Sequence, residues 1–378
     1  MTLFLLTFFL LYGSLHLYAF QKARAAFAFG TLTSIWIAGF MLMMIVSPII
    51  IRLSEKAGFD LFARLMSYAG YTWMGVLFLF ASFSLVIDMY RLIIYSGGLI
   101  LRQDLSYLAV TKHYAFFIPL TVSIGIAVYG YFEAGNIRTE NLTIKSHKIP
   151  AEINRVRIAQ ISDVHLGLIV REDRLKRILE EVKKADPDIL VSTGDLVDGQ
   201  IDNLSGPAGM LREINPRFGK YAITGNHEFY AGLDQSLNFT AQAGFTMLRG
   251  EKVDLEGITI AGVDDPQARS FGPYRGKPEK DLLSDIPDSR FALLLKHRPL
   301  VDVYSRGLFD LQLSGHVHRG QIFPFSIITG LYYQTQAGLA SLSDGSSLYV
   351  SRGSGTWGPP IRFLSPPEVT VIDLVHAE

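Results

Sequence analysis

The chain of 378 residues has no cysteine. Disulfide frameworks, thiolate zinc sites and cysteine nucleophiles are thereby excluded. It also lacks net charge, since 35 Lys and Arg offset 35 Asp and Glu. A nucleic-acid-binding chain is usually basic, so that class is set aside, as is the acidic disordered class. Charged residues of both signs are scarce. They make up 19%, against about 25% in soluble globular domains. No internal repeat or low-complexity segment is evident.

The shortage is local. Residues 1–132 hold eight basic and four acidic side chains, which leaves 27 and 31 for the rest. The first part is a sparse, slightly basic segment. The second has the charge density of a soluble domain and is slightly acidic. Four stretches of the first part have no charged side chain: Met1–Gln21, Ala25–Ile51, Leu65–Ile87 and His113–Phe132. Each is long enough to cross a bilayer, which takes about 20 residues. They lack the polar stripe of a soluble amphipathic helix. Charged residues cluster between them, as connecting loops require. The run Leu92–Leu101 is too short to span and contains Gly97 and Gly98. It reads as an interfacial or re-entrant segment. Arg52–Arg64 reads as a short amphipathic surface helix.

With four spans both chain ends share one face. The first and third loops carry Lys22, Arg24, Arg91, Arg102 and Lys112, and the second carries Arg52, Lys56 and Arg64. Basic loops stay cytoplasmic. Five against three favours an extracytoplasmic carboxy-terminal domain.

Beyond residue 150 the pattern changes to short apolar runs that end in polar clusters. Strands are expected at Val156–Ile161, Ile189–Thr193, Tyr221–Thr224, Phe291–Leu295 and Leu311–Leu313, with later ones at Ser347–Val350 and Val369–Val375. Glu172–Lys184 has helical spacing, with Leu175, Ile178, Leu179 and Val182 on one face. Leu233–Ala243 is another helix candidate. The alternation implies an α/β domain around a buried mixed sheet. The chain thus divides into a transmembrane domain of about four helices over 1–132, a linker over 133–150 and a catalytic domain over 151–378.

The polar residues fall at strand ends, where ligands gather in α/β sheets. Five of the nine histidines follow a strand directly, beside Asp, Asn or Gly. Asp163 and His165 are one residue apart, so they point the same way from an extended segment. His316 and His318 repeat that geometry. Asp and neutral His are good ligands for divalent transition metals. A metal site is expected. Glycines beside the ligands let the backbone turn sharply and leave room for metal and substrate.

The motifs DVH, GDLVD, GNHE, LKHRP and GHVH resemble the calcineurin-like metallophosphoesterase signature over about 160 residues. The tail SRGSGTWGPPIRF followed by PPE is similar to that of the membrane-associated bacterial subgroup. The resemblance implies a four-layer α/β/β/α sandwich behind an α-helical transmembrane anchor. It also implies two divalent transition-metal ions (Mn, Fe, Zn or Co, with Mn favoured). Asp163, His165, Asp195 and His318 would hold one, and Asp195, Asn226, His297 and His316 the other, with Asp195 bridging. A water between them would become hydroxide and attack phosphorus in line. Asp195 and His227 are thus the expected catalytic residues, with His227 contacting the phosphoryl group and assisting the leaving oxygen. Asp198 would orient a ligand. Arg298, Arg319 and Arg362 are candidates for gripping phosphate, as is Asn226. Family members usually have Gly at the position of Arg319, so the substrate pocket departs from the pattern there. Tyr230 and Trp357 are candidate pocket aromatics.

The leading expectation is a membrane-anchored phosphoesterase that cleaves a phosphodiester or pyrophosphate of a lipid-like or envelope substrate. Its partners would be the bilayer and that substrate, with no nucleic acid. The alternatives are a phosphomonoesterase acting on a small molecule or protein, and a non-catalytic metal-binding scaffold. A transporter is disfavoured, because the spans carry few ionisable residues away from their ends.

Overall fold

A computed structural model describes residues 2–153, 155–199, 204–271 and 276–377. The chain forms two compact units. One comprises Met1–Tyr131 with Gly358–Ile361, and the other Phe132–Trp357 with Arg362–Glu378.

The first unit is built on α1 (Thr2–Phe27), α2 (Thr31–Lys56), α3 (Asp60–Leu101) and α4 (Tyr114–Glu133). By length and composition α2, α3 and α4 qualify to cross a membrane. α1 is a further apolar helix of 26 residues. Small residues line the α2–α3 contact: a Cβ on Gly70 would sit 2.6 Å from Ser47 Oγ, and Ala63 and Ser67 are buried. Close backbone approach of this kind is how helices associate where water supplies no driving force.

Two expectations are corrected here. Arg52–Arg64 is not a separate surface helix. α2 runs on to Lys56, because Arg, Glu and Lys are good helix formers, and the break falls at Gly58 with φ +77°. Leu92–Leu101 is not a separate segment. It continues α3 through Gly97 and Gly98 to a left-handed Arg102. Two glycines cost a helix about 1 kcal/mol each, too little to stop a long apolar run. At 42 residues α3 is about 63 Å long and exceeds a hydrocarbon core of about 30 Å.

The second unit has two six-stranded sheets. The first contains β1 (Arg138–Ser146), β2 (Val156–Ile161), β3 (Ile189–Ser192), β4 (Lys220–Ala222), β5 (Thr246–Met247) and β12 (Glu368–His376), in the order β1-β12-β2-β3-β4-β5. The second contains β6 (Glu251–Asp254), β7 (Ile258–Gly262), β8 (Phe291–Leu295), β9 (Leu311–Ser314), β10 (Gly338–Ser341) and β11 (Ser347–Val350), in the order β10-β11-β9-β8-β7-β6. Alternate residues of both sheets meet in one core, with Ile158, Ile189 and Val191 among those from the first sheet and Leu293, Leu295, Leu311 and Leu313 among those from the second. The opposite face of the first sheet, with Ala159, Ile161 and Leu190, is covered by α5 (Glu172–Ala185), α6 (Ser205–Arg212) and α8 (Leu233–Gln242). α5 buries the apolar face read from its spacing, Leu175, Ile178, Leu179 and Val182. The far face of the second sheet packs against Leu282, Leu283 and Ile286. The layers are therefore α/β/β/α.

The linker expected over 133–150 is also corrected. Within it β1 pairs in parallel with β12 along nine residues. Of the β1 residues only Leu142 and Ile144 pack on the inter-sheet core, and the other seven are polar or charged. A half-buried edge strand of this kind looks like a linker in composition.

Candidate metal centre

The loops leaving β2, β3, β4, β8 and β9 converge. Asp163 and His165 follow β2, Asp195 follows β3, Asn226 and His227 open the short helix α7 (Asn226–Ala231) after β4, His297 follows β8, and His316 and His318 follow β9. Parallel pairing of β2, β3 and β4, and of β8 with β9, puts these ends on the same side of their sheets. Five of these residues adopt left-handed backbone: Asp163, His165, Asp195, His316 and His318, with φ between 49° and 71°. Non-glycine residues rarely do so, and such conformations cluster at functional sites.

Among the described residues three groups of possible metal donors result. They are Asp163, His165 and His318; His165, Asp195 and His227; and Asp195, His297 and His316. His165 Nε2 and His318 Nε2 lie 3.1 Å apart, and Asp163 Oδ1 lies 3.3 Å from His318 Nε2. His316 Nδ1 and His297 Nε2 are also 3.1 Å apart. Asp195 Oδ2 reaches both sides, 3.9 Å from His165 Nε2 and 3.2 Å from His297 Nε2. Asn226 Oδ1 is buried with no hydrogen-bond partner. A buried amide oxygen is seldom left so. Ring nitrogens and carboxylate oxygens facing one another at these distances, with an unsatisfied oxygen beside them, fit cation ligation.

Electrostatics agree with that donor set. Burial opposes the charge on Asp163, but the neighbouring His318 and His297 hold it well below the usual carboxylate range. Asp195 is likewise buried and held low, chiefly by His297 and His227. Burial, with His297 close by, pushes His316 down to about 3. Burial also lowers His318 to about 4, although Asp163 opposes it. Anionic carboxylates and neutral imidazoles are the forms that bind metals. His297 is the exception. Against burial, Asp195 raises it to about 10. Its Nδ1 lies 2.8 Å from the Thr193 carbonyl, the outer contact that orients a ligating imidazole and leaves Nε2 facing Asp195.

His227 is held differently. Its Nδ1 is 2.8 Å from Asp198 Oδ1, and Asp198 also lies 3.4 Å from His165 Nδ1. Asp198 therefore holds His227, while His165 Nδ1 stays buried without a hydrogen-bond partner beside the same carboxylate. Burial opposes protonation of His227, but Asp195 and Asp198 raise it to about 9. The rings of Tyr230 and Trp357 flank it at 5.4 and 5.8 Å.

The three arginines separate. Arg298 forms a two-pronged ion pair with Asp265, at 2.7 and 3.0 Å. Arg319 is exposed and left-handed. Arg362 is corrected: it is fully buried and donates to the carbonyls of Gly355, Arg352 and Ser365. Its Nη2 lies 3.0 Å from His318 Nδ1. The guanidinium is consumed in holding the tail against a candidate ligand.

Sequence reasoning missed Glu228. Its buried carboxylate accepts from the backbone N–H of Gly225 and Asp195 on Oε2, at 2.7 and 3.0 Å, and of Leu196 on Oε1, at 2.7 Å. It ties the Asp195 loop to the Asn226 loop. The glycines leave no room for substitution. A Cβ on Gly194 would lie 2.6 Å from Gly225 N, and one on Gly315 would lie 2.1 Å from Asp163 Oδ2.

A two-sheet sandwich with clustered Asp and His at its strand ends defines a candidate metal-binding α/β domain. Residues 156–320 match the model of the calcineurin-like phosphoesterase family. The chain is 40% identical over 255 residues to an uncharacterized metallophosphoesterase of Aquifex aeolicus, covering 67% of this chain and 97% of that one. It is 29% identical over 334 residues to one from Campylobacter jejuni, covering 86% and 87%. It is 32% identical over 274 residues to a Danio rerio transmembrane protein with a metallophosphoesterase domain, covering 69% and 62%. The chain belongs to the calcineurin-like phosphoesterase family, which implies a metal-dependent phosphoester hydrolase, and it carries candidate membrane helices of its own.

Proposed function

We propose that the chain is a membrane-anchored phosphoesterase with a dinuclear centre, cleaving a phosphodiester or pyrophosphate bond of a lipid-like or envelope substrate. The observation that carries it is Asp195 Oδ2, placed between the His165 and His297 sides of the cluster. Asp163, His165, Asp195 and His318 would hold one divalent ion, and Asp195, Asn226, His297 and His316 the other. Such an ion pair clamps a phosphoryl group and supplies a nucleophile from water at neutral pH. The chain's own residues do the rest. The carboxylates and imidazoles fix the pair. His227, anchored through Nδ1 by Asp198, keeps its second ring nitrogen for the phosphoryl oxygens and the leaving group. Tyr230 and Trp357 stand beside it, half exposed, where a substrate could pack on them. Membrane anchoring favours a lipid-like substrate, because it raises the effective concentration near headgroups. The loop charges favour an extracytoplasmic site.

The full chain in detergent with Mn²⁺ is expected to hydrolyse bis-p-nitrophenyl phosphate faster than p-nitrophenyl phosphate. Asp195→Ala should abolish turnover. Activity surviving that change refutes the metal assignment, and a preference for the monoester favours a phosphomonoesterase.

A further inference from the structure

We infer that the loop between β9 and β10 is a membrane-contacting rim that opens the metal centre to the bilayer surface. Residues 320–343 contain no charged side chain, in a unit where about a quarter of residues are charged. Charge is absent from this stretch, which is the loop beyond Arg319 together with β10, but solvent is not. Ile327, Ile328, Leu331 and Tyr332 are 61%, 54%, 86% and 68% exposed. Contiguous exposed apolar surface marks a contact site.

The loop is held firmly in that exposed position. A Cβ on Gly320 would lie 2.4 Å from Ser326 N, so the turn is tight. Gln321 Nε2 donates to the Trp357 carbonyl and Trp357 N donates to Gln321 Oε1, both at 2.9 Å. Thr329 Oγ1 donates to Gln336 Oε1 at 2.6 Å. Both ends meet the metal centre. The loop starts after His318 and returns at Tyr333, whose ring lies 5.7 Å from His316. Half-exposed Trp357 links the rim to His227.

The occupant is a bilayer with anionic headgroups. Its hydrocarbon suits Ile327, Ile328 and Leu331, and Tyr and Trp favour the interface. Exposed Arg319 precedes the loop, and no carboxylate within 320–343 repels an anionic surface. The apolar helices of the same chain bring a bilayer within reach. This rests on the phosphoesterase reading, and it makes the substrate a lipid taken from the membrane surface instead of a solute.

The cysteine-free chain allows a clean test. Leu331→Cys and, as a control on an exposed acidic residue, Glu213→Cys are labelled with an environment-sensitive fluorophore. Each full-length protein is reconstituted into vesicles of phosphatidylethanolamine and phosphatidylglycerol containing doxyl-labelled lipid. Quenching several-fold stronger at position 331 is expected, and quenching no stronger than at 213 overturns the inference. The same samples are assayed on bis-p-nitrophenyl phosphate with Mn²⁺. Loss of that hydrolysis in both refutes the reading of the metal centre, while equal quenching with hydrolysis intact refutes the rim alone.

Discussion

Replacement of Glu228 by Gln tests how the two central loops are held. In the native site each carboxylate oxygen accepts from backbone: Oε2 from Asp195 N and Gly225 N, Oε1 from Leu196 N. The side chain is 2% exposed, so water does not readily replace it. A Gln amide retains one acceptor oxygen and turns an NH₂ toward two N–H donors. Bonds to a charged acceptor are worth about 1.5–3 kcal/mol each, and the orphaned donors add a desolvation cost. Burial and Asp195 raise the Glu228 pKa, so loss of the charge returns part of this through relief of repulsion. A net loss of about 2–4 kcal/mol follows. For a unit of this size that is a fall in melting temperature of about 4–16 °C. The damage is also local. The orphaned donors belong to Asp195 and to Gly225 beside Asn226, so metal affinity should drop about 10–100-fold, as for other outer contacts of ligands. Thermal unfolding of the full chain in detergent, together with metal titration, measures both. Wild-type melting and wild-type metal affinity in Glu228→Gln would refute the clamp.

Two further outcomes are expected. Arg362→Lys should lower stability by about 3 kcal/mol or more through lost carbonyl contacts. Because the guanidinium is enclosed, kcat should fall with His318 misplaced, and a rise in KM alone would show that it grips substrate after all. Chelation of divalent ions should lower the melting temperature of the catalytic unit, and Mn²⁺ added at 100 times its Kd should restore about 2.7 kcal/mol. A melting temperature indifferent to chelator would mean that no cation is held by the donor groups.

Legibility in the sequence followed physical cause. β3 and β8 lie where short apolar runs ended in polar clusters, because strands buried on both faces need such runs. β1 was hidden because an edge strand keeps its polar residues wet. β6 and β7 lay between loops with no ligand at their ends to draw attention. The histidines were readable because donor chemistry belongs to their side chains. Glu228 and the Thr193 carbonyl were not, since a contact to backbone leaves no second residue in the sequence to pair with. Arg362 misled for a related reason: a guanidinium that binds phosphate and one that binds carbonyls are the same letter.

The backbone of the site bears on how function is divided within the unit. Five left-handed residues cost about 1–3 kcal/mol each, together comparable with the whole stability of a domain. They persist because the loops brace one another. Asp163 N donates to the Gly194 carbonyl, His165 N to the Asp195 carbonyl and Gly315 N to the His297 carbonyl, at 2.9–3.0 Å. A change in any one loop therefore disturbs ligands carried by another, which leaves little freedom for altering substrate choice at the metal centre itself. That freedom lies in segments attached at the margin. The β9–β10 loop is one of them, uncharged from Gly320 onward, with exposed Arg319 just before that stretch. With the rim as proposed, substrate selection would fall to it, and the braced loops would keep the chemistry.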